Sequence, residues 1–301
     1  MSAKYSLQAV ATASQNRAAI ESHPRIWQSN RYVYPVISRR SGGLSIGVNL
    51  NPDKRCNFDC IYCSVDRRIP GDVAPVDIRV MALELGVMLD QAGSGDLFQM
   101  PPFSQVTPEL RRLNDIAFSG DGEPTSHPEL LECCKIAKAA LDARNLASVK
   151  IILISNATLL HRPRVQKALE FLDGCKSEIW AKLDAGTPEY YAMVDRSAFS
   201  FAQLLENIAA CARRRPIVIQ SLFMKIDGVP PAPEEVDAYG RRLADIIEMG
   251  GKLRRVQLYT VARQPAVPSV SPLNFQELQS IAEAVRRILS HPTPFPVEIF
   301  P

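Results

Sequence analysis

Three cysteines carry the strongest chemical signal in the chain. They stand in Cys56-Asn57-Phe58-Asp59-Cys60-Ile61-Tyr62-Cys63, a C-x3-C-x2-C spacing with an aromatic before the last. A loop this short can turn three thiolates toward one face of an inorganic cluster. Iron–sulfur clusters ordinarily take four thiolates, and the next cysteine here is Cys133. Three protein ligands leave one iron with an open position, which marks chemistry rather than storage, as at catalytic zinc. A zinc site competes for the same residues, but it asks for a fourth Cys or His close by, and the next histidine is His127.

Other polar residues fall where they could complete such a site. In Gly120-Asp121-Gly122-Glu123 the glycines let backbone approach a ligand closely, and a carboxylate there can pair with a cationic amino group. Asn156 follows in Ile154-Ser155-Asn156-Ala157-Thr158. Lys182 and Asp184, two apart on an extended run, face the same way. Gln220 or Ser221 and Tyr259 are weaker candidates. The plain alternative for each is a turn, a loop hydrogen bond or a salt bridge. Of the remaining cysteines, Cys134 and Cys211 lie on apolar helical stripes and read as core, Cys133 and Cys175 are isolated, and none forms a C-x2-C pair. A second cluster is not expected.

Stepping along the chain, six apolar β-rich runs alternate with helical periodicity. The runs are 44–50, 115–119, 149–155, 177–183, 217–224 and 255–261. Helices are predicted at 76–91, 128–144, 164–172, 201–213, 234–249 and 275–289, the last behind an Asn274 cap with Glu277 three residues on. This alternation predicts parallel strands joined by crossover helices. Six units suit an α/β fold of the partial (β/α)6 TIM-like barrel kind rather than a closed eightfold one. Chemistry in such barrels sits on loops leaving the C-terminal strand ends, and every candidate above falls at one. The expected organisation is an irregular or partly helical N-terminal extension over 1–43, a core barrel over 44–262 and a C-terminal extension over 263–301.

The bulk numbers bound the rest. In 301 residues, 46% hydrophobic and 22% charged is ordinary globular composition. A net charge of +3 is too small to argue for nucleic acid. Arginine pairs recur, among them Arg39-Arg40, and read either as solvated helix ends or as a basic rim around an anionic substrate. Seven cysteines, an odd number with three of them clustered at metal spacing, suit a reducing compartment. No signal architecture opens the chain, and no apolar run approaches the roughly 18 residues of a membrane helix. A cytoplasmic location without membrane association is expected.

The cysteine spacing with Tyr62 resembles the radical S-adenosylmethionine (SAM) superfamily, whose motif is C-x3-C-x-aromatic-C. The resemblance implies that Cys56, Cys60 and Cys63 hold a 4Fe–4S cluster whose open iron chelates SAM. One electron then cleaves SAM to methionine and a 5′-deoxyadenosyl radical that abstracts hydrogen from substrate. It implies that Gly120, Asp121, Gly122 and Glu123 stand for the family's Gly-Gly-Glu motif around the SAM ammonium, with Asp121 as a departure. Asn156 matches an Asn-Gly-Thr motif, Lys182 and Asp184 suit the SAM carboxylate and ribose, and Tyr62 and Tyr259 the remaining contacts. Ala181 to Gly186 and Gln257 to Pro265 look like the branch of iron–sulfur oxidoreductases that includes the tRNA wyosine synthases. Those enzymes carry further cysteines upstream for a second cluster, and residues 1–55 contain none. An external donor of flavodoxin or ferredoxin type is implied, with a tRNA base or a glycyl-radical partner enzyme as substrate. The reading from another class is a non-catalytic iron–sulfur redox sensor.

Overall fold

The computed structural model describes residues 16, 19, 20, 27–290 and 294–301. Its centre is an eight-stranded sheet. β1 (Val33–Ser38) pairs antiparallel with β2 (Gly43–Val48). Parallel strands β3 (Leu113–Phe118), β4 (Lys150–Ser155), β5 (Ser177–Lys182) and β6 (Ile217–Leu222) follow in order. The short β7 (Met224–Ile226) lies outside this sheet. β8 (Leu253–Tyr259) comes next, the short β9 (Val270–Pro272) pairs with β7, and β10 (Val297–Phe300) closes the order beside β8. The six expected strands are β2, β3, β4, β5, β6 and β8, and they form a curled, partial TIM-like barrel.

Helices α1 (Ile78–Ser94), α2 (Leu130–Asp142), α3 (Pro163–Asp173), α4 (Pro188–Val194), α5 (Phe201–Arg214), α6 (Pro233–Glu248) and α7 (Phe275–Leu289) complete the described elements of regular length. The main apolar core lies between them and the outer sheet face, where Ile46, Ile116, Leu153 and Ile219 meet helix residues such as Met81, Ala137 and Ile208. Asn274 caps α7 with the full reciprocal bonding to Glu277. The seven-residue α4 has no counterpart in the sequence reading. Thr187 caps it with Pro188 at its first turn, and it is too short to show a periodic stripe.

The expectation of an irregular or partly helical extension up to residue 43 is corrected over residues 33–38, which form a strand, while most of 1–26 lies outside the described residues. β1 forms because Glu84 on α1 accepts the N–H groups of Arg31, Tyr32 and Val33 at 2.7, 2.8 and 3.1 Å, holding the strand start against the helix. Pro35 reads as a strand breaker, yet β1 is an edge strand, where a missing donor costs no ladder bond. The stretch expected as a C-terminal extension likewise adds β10 to the opposite edge. Arg39, just past β1, donates to the carbonyls of Pro301 and Thr260, so the β1–β2 hairpin reaches across to the far edge of the open sheet.

Inside the barrel, Ala117, Ile152, Trp180 and Val218 form an apolar layer. Below it Glu178 takes Lys150 at 2.8 Å, Arg255 at 2.6 Å and the Trp180 indole N–H at 2.9 Å. Burial opposes the Glu178 charge, but these three donors outweigh it and hold its carboxyl down to about 2. The barrel floor is therefore plugged by a charged knot.

Candidate active site

A cleft of about 280 Å³ opens at the C-terminal ends of the strands. The three motif cysteines line it together with Gly120, Asp121, Gly122, Glu123, Asn156, Lys182, Gln220 and Tyr259. Loops that are far apart in sequence thus meet where the parallel strands stop.

The cysteine loop follows β2 and is braced from below. Asp59 N and Ile61 N donate to Asp195 O and Val194 O at the end of α4, at 3.0 and 2.9 Å. Phe58 packs edge-on against Tyr191 of the same helix, with ring centroids 5.7 Å apart. All three thiols are free of disulfides. Cys63 Sγ accepts from Arg67 at 3.5 Å, and Cys60 Sγ donates to Asp195 Oδ1 at 3.4 Å. Burial pushes the Cys60 thiol well up, with Asp195 adding to it, and burial also raises Cys56 against the N–H of Phe58. Metal binding at these sulfurs must therefore release protons.

Among the described residues, no three Cys, His, Asp or Glu side chains gather around a single ion. A soft, all-thiol donor set lining a cleft beside a cationic Arg67 fits an iron–sulfur cluster.

The loop after β3 is held differently from expectation. A Cβ at Gly120 would lie 2.3 Å from Asn49 Oδ1, and one at Gly122 would lie 2.1 Å from Arg55 O. The close approach that requires glycine is thus to the protein's own chain after β2. Glu123 is 3% exposed. Its Oε1 accepts from Thr125 N, Thr125 Oγ1 and Ser155 Oγ at 3.1, 2.5 and 2.8 Å, and its Oε2 from Asn156 N at 2.7 Å. Burial raises the Glu123 carboxyl and these donors work against that rise. Asp121 accepts from Asn49 Nδ2 at 2.7 Å.

Asn156 ties the third loop to the cysteines. Its Nδ2 donates to Asn57 Oδ1 at 2.7 Å and lies 3.9 Å from Cys56 Sγ, while its Oδ1 accepts from Thr158 N and Oγ1. Asn57 in turn donates to Thr158 Oγ1 at 2.6 Å.

Lys182 and Asp184 do face the same way, but chiefly toward each other, 3.1 Å apart. Asp184 also accepts from Tyr62 OH and from Leu222 N, and it sits behind the cleft wall. Lys182 donates to Tyr259 OH at 2.8 Å and lies over the Tyr62 ring. Burial works against the Lys182 charge, but Asp184 and Tyr259 outweigh it and raise its pKa. Of the weaker candidates, Gln220 lines the cleft, whereas Ser221 turns outward to bond Tyr239 OH at 2.6 Å. Sequence reading missed Asp195, Asn49 and Asn57, and met Arg67 only as a member of one of the recurring arginine pairs. Only Asn57, inside the cysteine motif, had a positional signal; Asp195 reaches Cys60 through a helix the pattern did not show.

The sequence profile of the Radical SAM superfamily matches residues 50–238. The chain belongs to that superfamily, a family of enzymes that use a 4Fe–4S cluster and SAM. A UPF0026 protein of Helicobacter pylori is 31% identical over 231 residues, spanning 76% of this chain and 65% of that protein. The chain therefore matches somewhat less than two thirds of that relative. Among solved structures, a radical SAM methyltransferase from Sphaerobacter thermophilus is similar with a TM-score of 0.57 and 14% identity, over 89% of this chain and 69% of that one. SuiB of Streptococcus suis, bound to SAM, has a TM-score of 0.57 and 13% identity, over 87% and 52%. At these identities the likeness shows the fold. Among the described residues no helix is long and apolar enough to cross a membrane.

Proposed function

We propose that this chain is a radical SAM enzyme whose cleft holds a 4Fe–4S cluster on Cys56, Cys60 and Cys63, SAM beside it, and the substrate beyond. The observation that supports this most is that all three thiols line one cleft with the loops after β3, β4 and β5. When bound, the cluster and SAM supply one-electron reduction and a carbon radical able to take hydrogen from an unactivated carbon.

The chain's own residues position these parts. Glu123 Oε2 accepts from Asn156 N and keeps acceptor capacity for the SAM ammonium, while Oε1 locks the loops after β3 and β4 together. Asn156 orients the cysteine loop through Asn57. Lys182 presents a charge held protonated toward the SAM carboxylate, and Asp184 serves it from behind rather than reaching ribose. Tyr62 and Tyr259 flank Lys182 and supply flat apolar walls. The electron comes from an external donor of flavodoxin or ferredoxin type.

The test is anaerobic. The protein is loaded with iron and sulfide, reduced with dithionite and given SAM, alone and with tRNA or a glycyl-radical protein. The expected result is 5′-deoxyadenosine that disappears in Cys60→Ala and persists in Cys211→Ala. A loaded cluster with no product in any arm would favour the redox-sensor reading.

A further inference from the structure

At the β1–β2 hairpin the cleft is lined by Arg40, together with Trp180 and Tyr259. The Arg40 guanidinium lies 4.6 Å from the centroid of the Tyr259 ring and 5.9 Å from that of Trp180. Its backbone is anchored next door, where Arg39 bonds the carbonyls of Thr260 and Pro301 across the open sheet.

Three other cations of the barrel interior have their anions. Lys150 and Arg255 reach Glu178 at 2.8 and 2.6 Å, and Lys182 reaches Asp184 at 3.1 Å. Arg40 is half-buried, and among the described residues its only partners are the two aromatic rings. A stacked guanidinium is oriented and partly stripped of water, while its in-plane N–H fork stays available for a planar or tetrahedral oxyanion. Gln220, 1% exposed, lines the same cleft, and its side-chain amide nitrogen has no hydrogen-bond partner.

We infer that this end of the cleft is the substrate subsite, and that it takes a small molecule carrying a carboxylate or a phosphate, held by Arg40. The inference rests on the radical SAM reading for the word substrate. The anion site itself does not, and its test reads binding rather than turnover.

The experiment is anaerobic equilibrium dialysis of the cluster-loaded full chain with SAM, using inorganic phosphate and succinate as separate probes. Saturable binding of at least one probe below about 10 mM is expected, and the probe that binds tells phosphate from carboxylate. Arg40→Gln should weaken it about tenfold or more, Arg40→Lys should recover part of the loss, and the surface variant Arg68→Gln should leave it unchanged. Cluster absorbance in each variant reports that the chain has folded. Absence of saturable binding, or equal binding by Arg40→Gln, overturns the proposal. Displacement of the probe by micromolar tRNA would overturn the small-molecule assignment in favour of a nucleic acid. Failure to make 5′-deoxyadenosine with the probe site intact would instead overturn only the radical reading.

Discussion

Glu123, on the loop leaving β3, accepts the backbone N–H of Asn156, at the end of β4, at 2.7 Å. One buried carboxylate thereby fixes the distance between two of the loops that line the cleft, and through Asn156 and Asn57 it reaches the cysteine loop.

Replacing Glu123 with Ala strands the donors of Thr125, Ser155 and Asn156 in a buried place. Leaving buried donors unpaired is expected to cost about 3 kcal/mol. Urea unfolding of the apoprotein checks this; an effect under about 0.5 kcal/mol would mean that water replaces the carboxylate freely.

Asp115 is 1% exposed on the cleft's inner wall and bonded by Ser45 Oγ. Burial pushes its carboxyl up from 3.8 to about 6 against that bond. Between these values the folded chain keeps a proton that the unfolded chain has released. Its stabilising contribution is therefore full below about pH 4 and lost as pH rises to about 6, a change of roughly 3 kcal/mol. Asp115→Asn should remove this part of the slope in urea midpoints measured across that window.

Ala157 adopts φ 64° where the family motif has glycine, and its side chain is buried. A left-handed alanine costs about 1 kcal/mol, partly offset by the methyl's contacts and by glycine's unfolded-state entropy. Ala157→Gly is expected to stabilise the apoprotein by about 0.5 kcal/mol. A loss in the same melt would show that methyl packing dominates the site.

Arg67 donates to Cys63 Sγ at 3.5 Å. A hydrogen bond and a positive charge at a ligating sulfur favour the reduced cluster. Arg67→Gln should lower the midpoint potential by about 40 mV, the one-electron equivalent of a net bond near 1 kcal/mol. A spectroscopic redox titration reads this directly, and an upward shift would contradict it.

Much of this protein is written locally. The cysteine spacing names its own chemistry because three thiolates on one short loop need no help from distant chain to suit a cluster. The six parallel strands announce themselves as apolar β-rich runs because each is buried on both faces, and Asn274 with Glu277 marks a helix start through bonds three residues apart. What each polar residue touches was decided by the tertiary fold. Glycine at 120 and 122 reads as room for a ligand, but Asn49 and Arg55 occupy that room once β2 and β3 pair. Lys182 and Asp184 share a face, as their spacing requires, yet only the curvature that brings Tyr62, Leu222 and Tyr259 around them turns Asp184 away from the cleft. The edge strand β1 hides behind Pro35, because edge position is a property of the sheet and not of the six residues. Arg40 faces the cleft for the same reason: the open sheet lets the hairpin lean across, and sequence carries no trace of the strand it will meet.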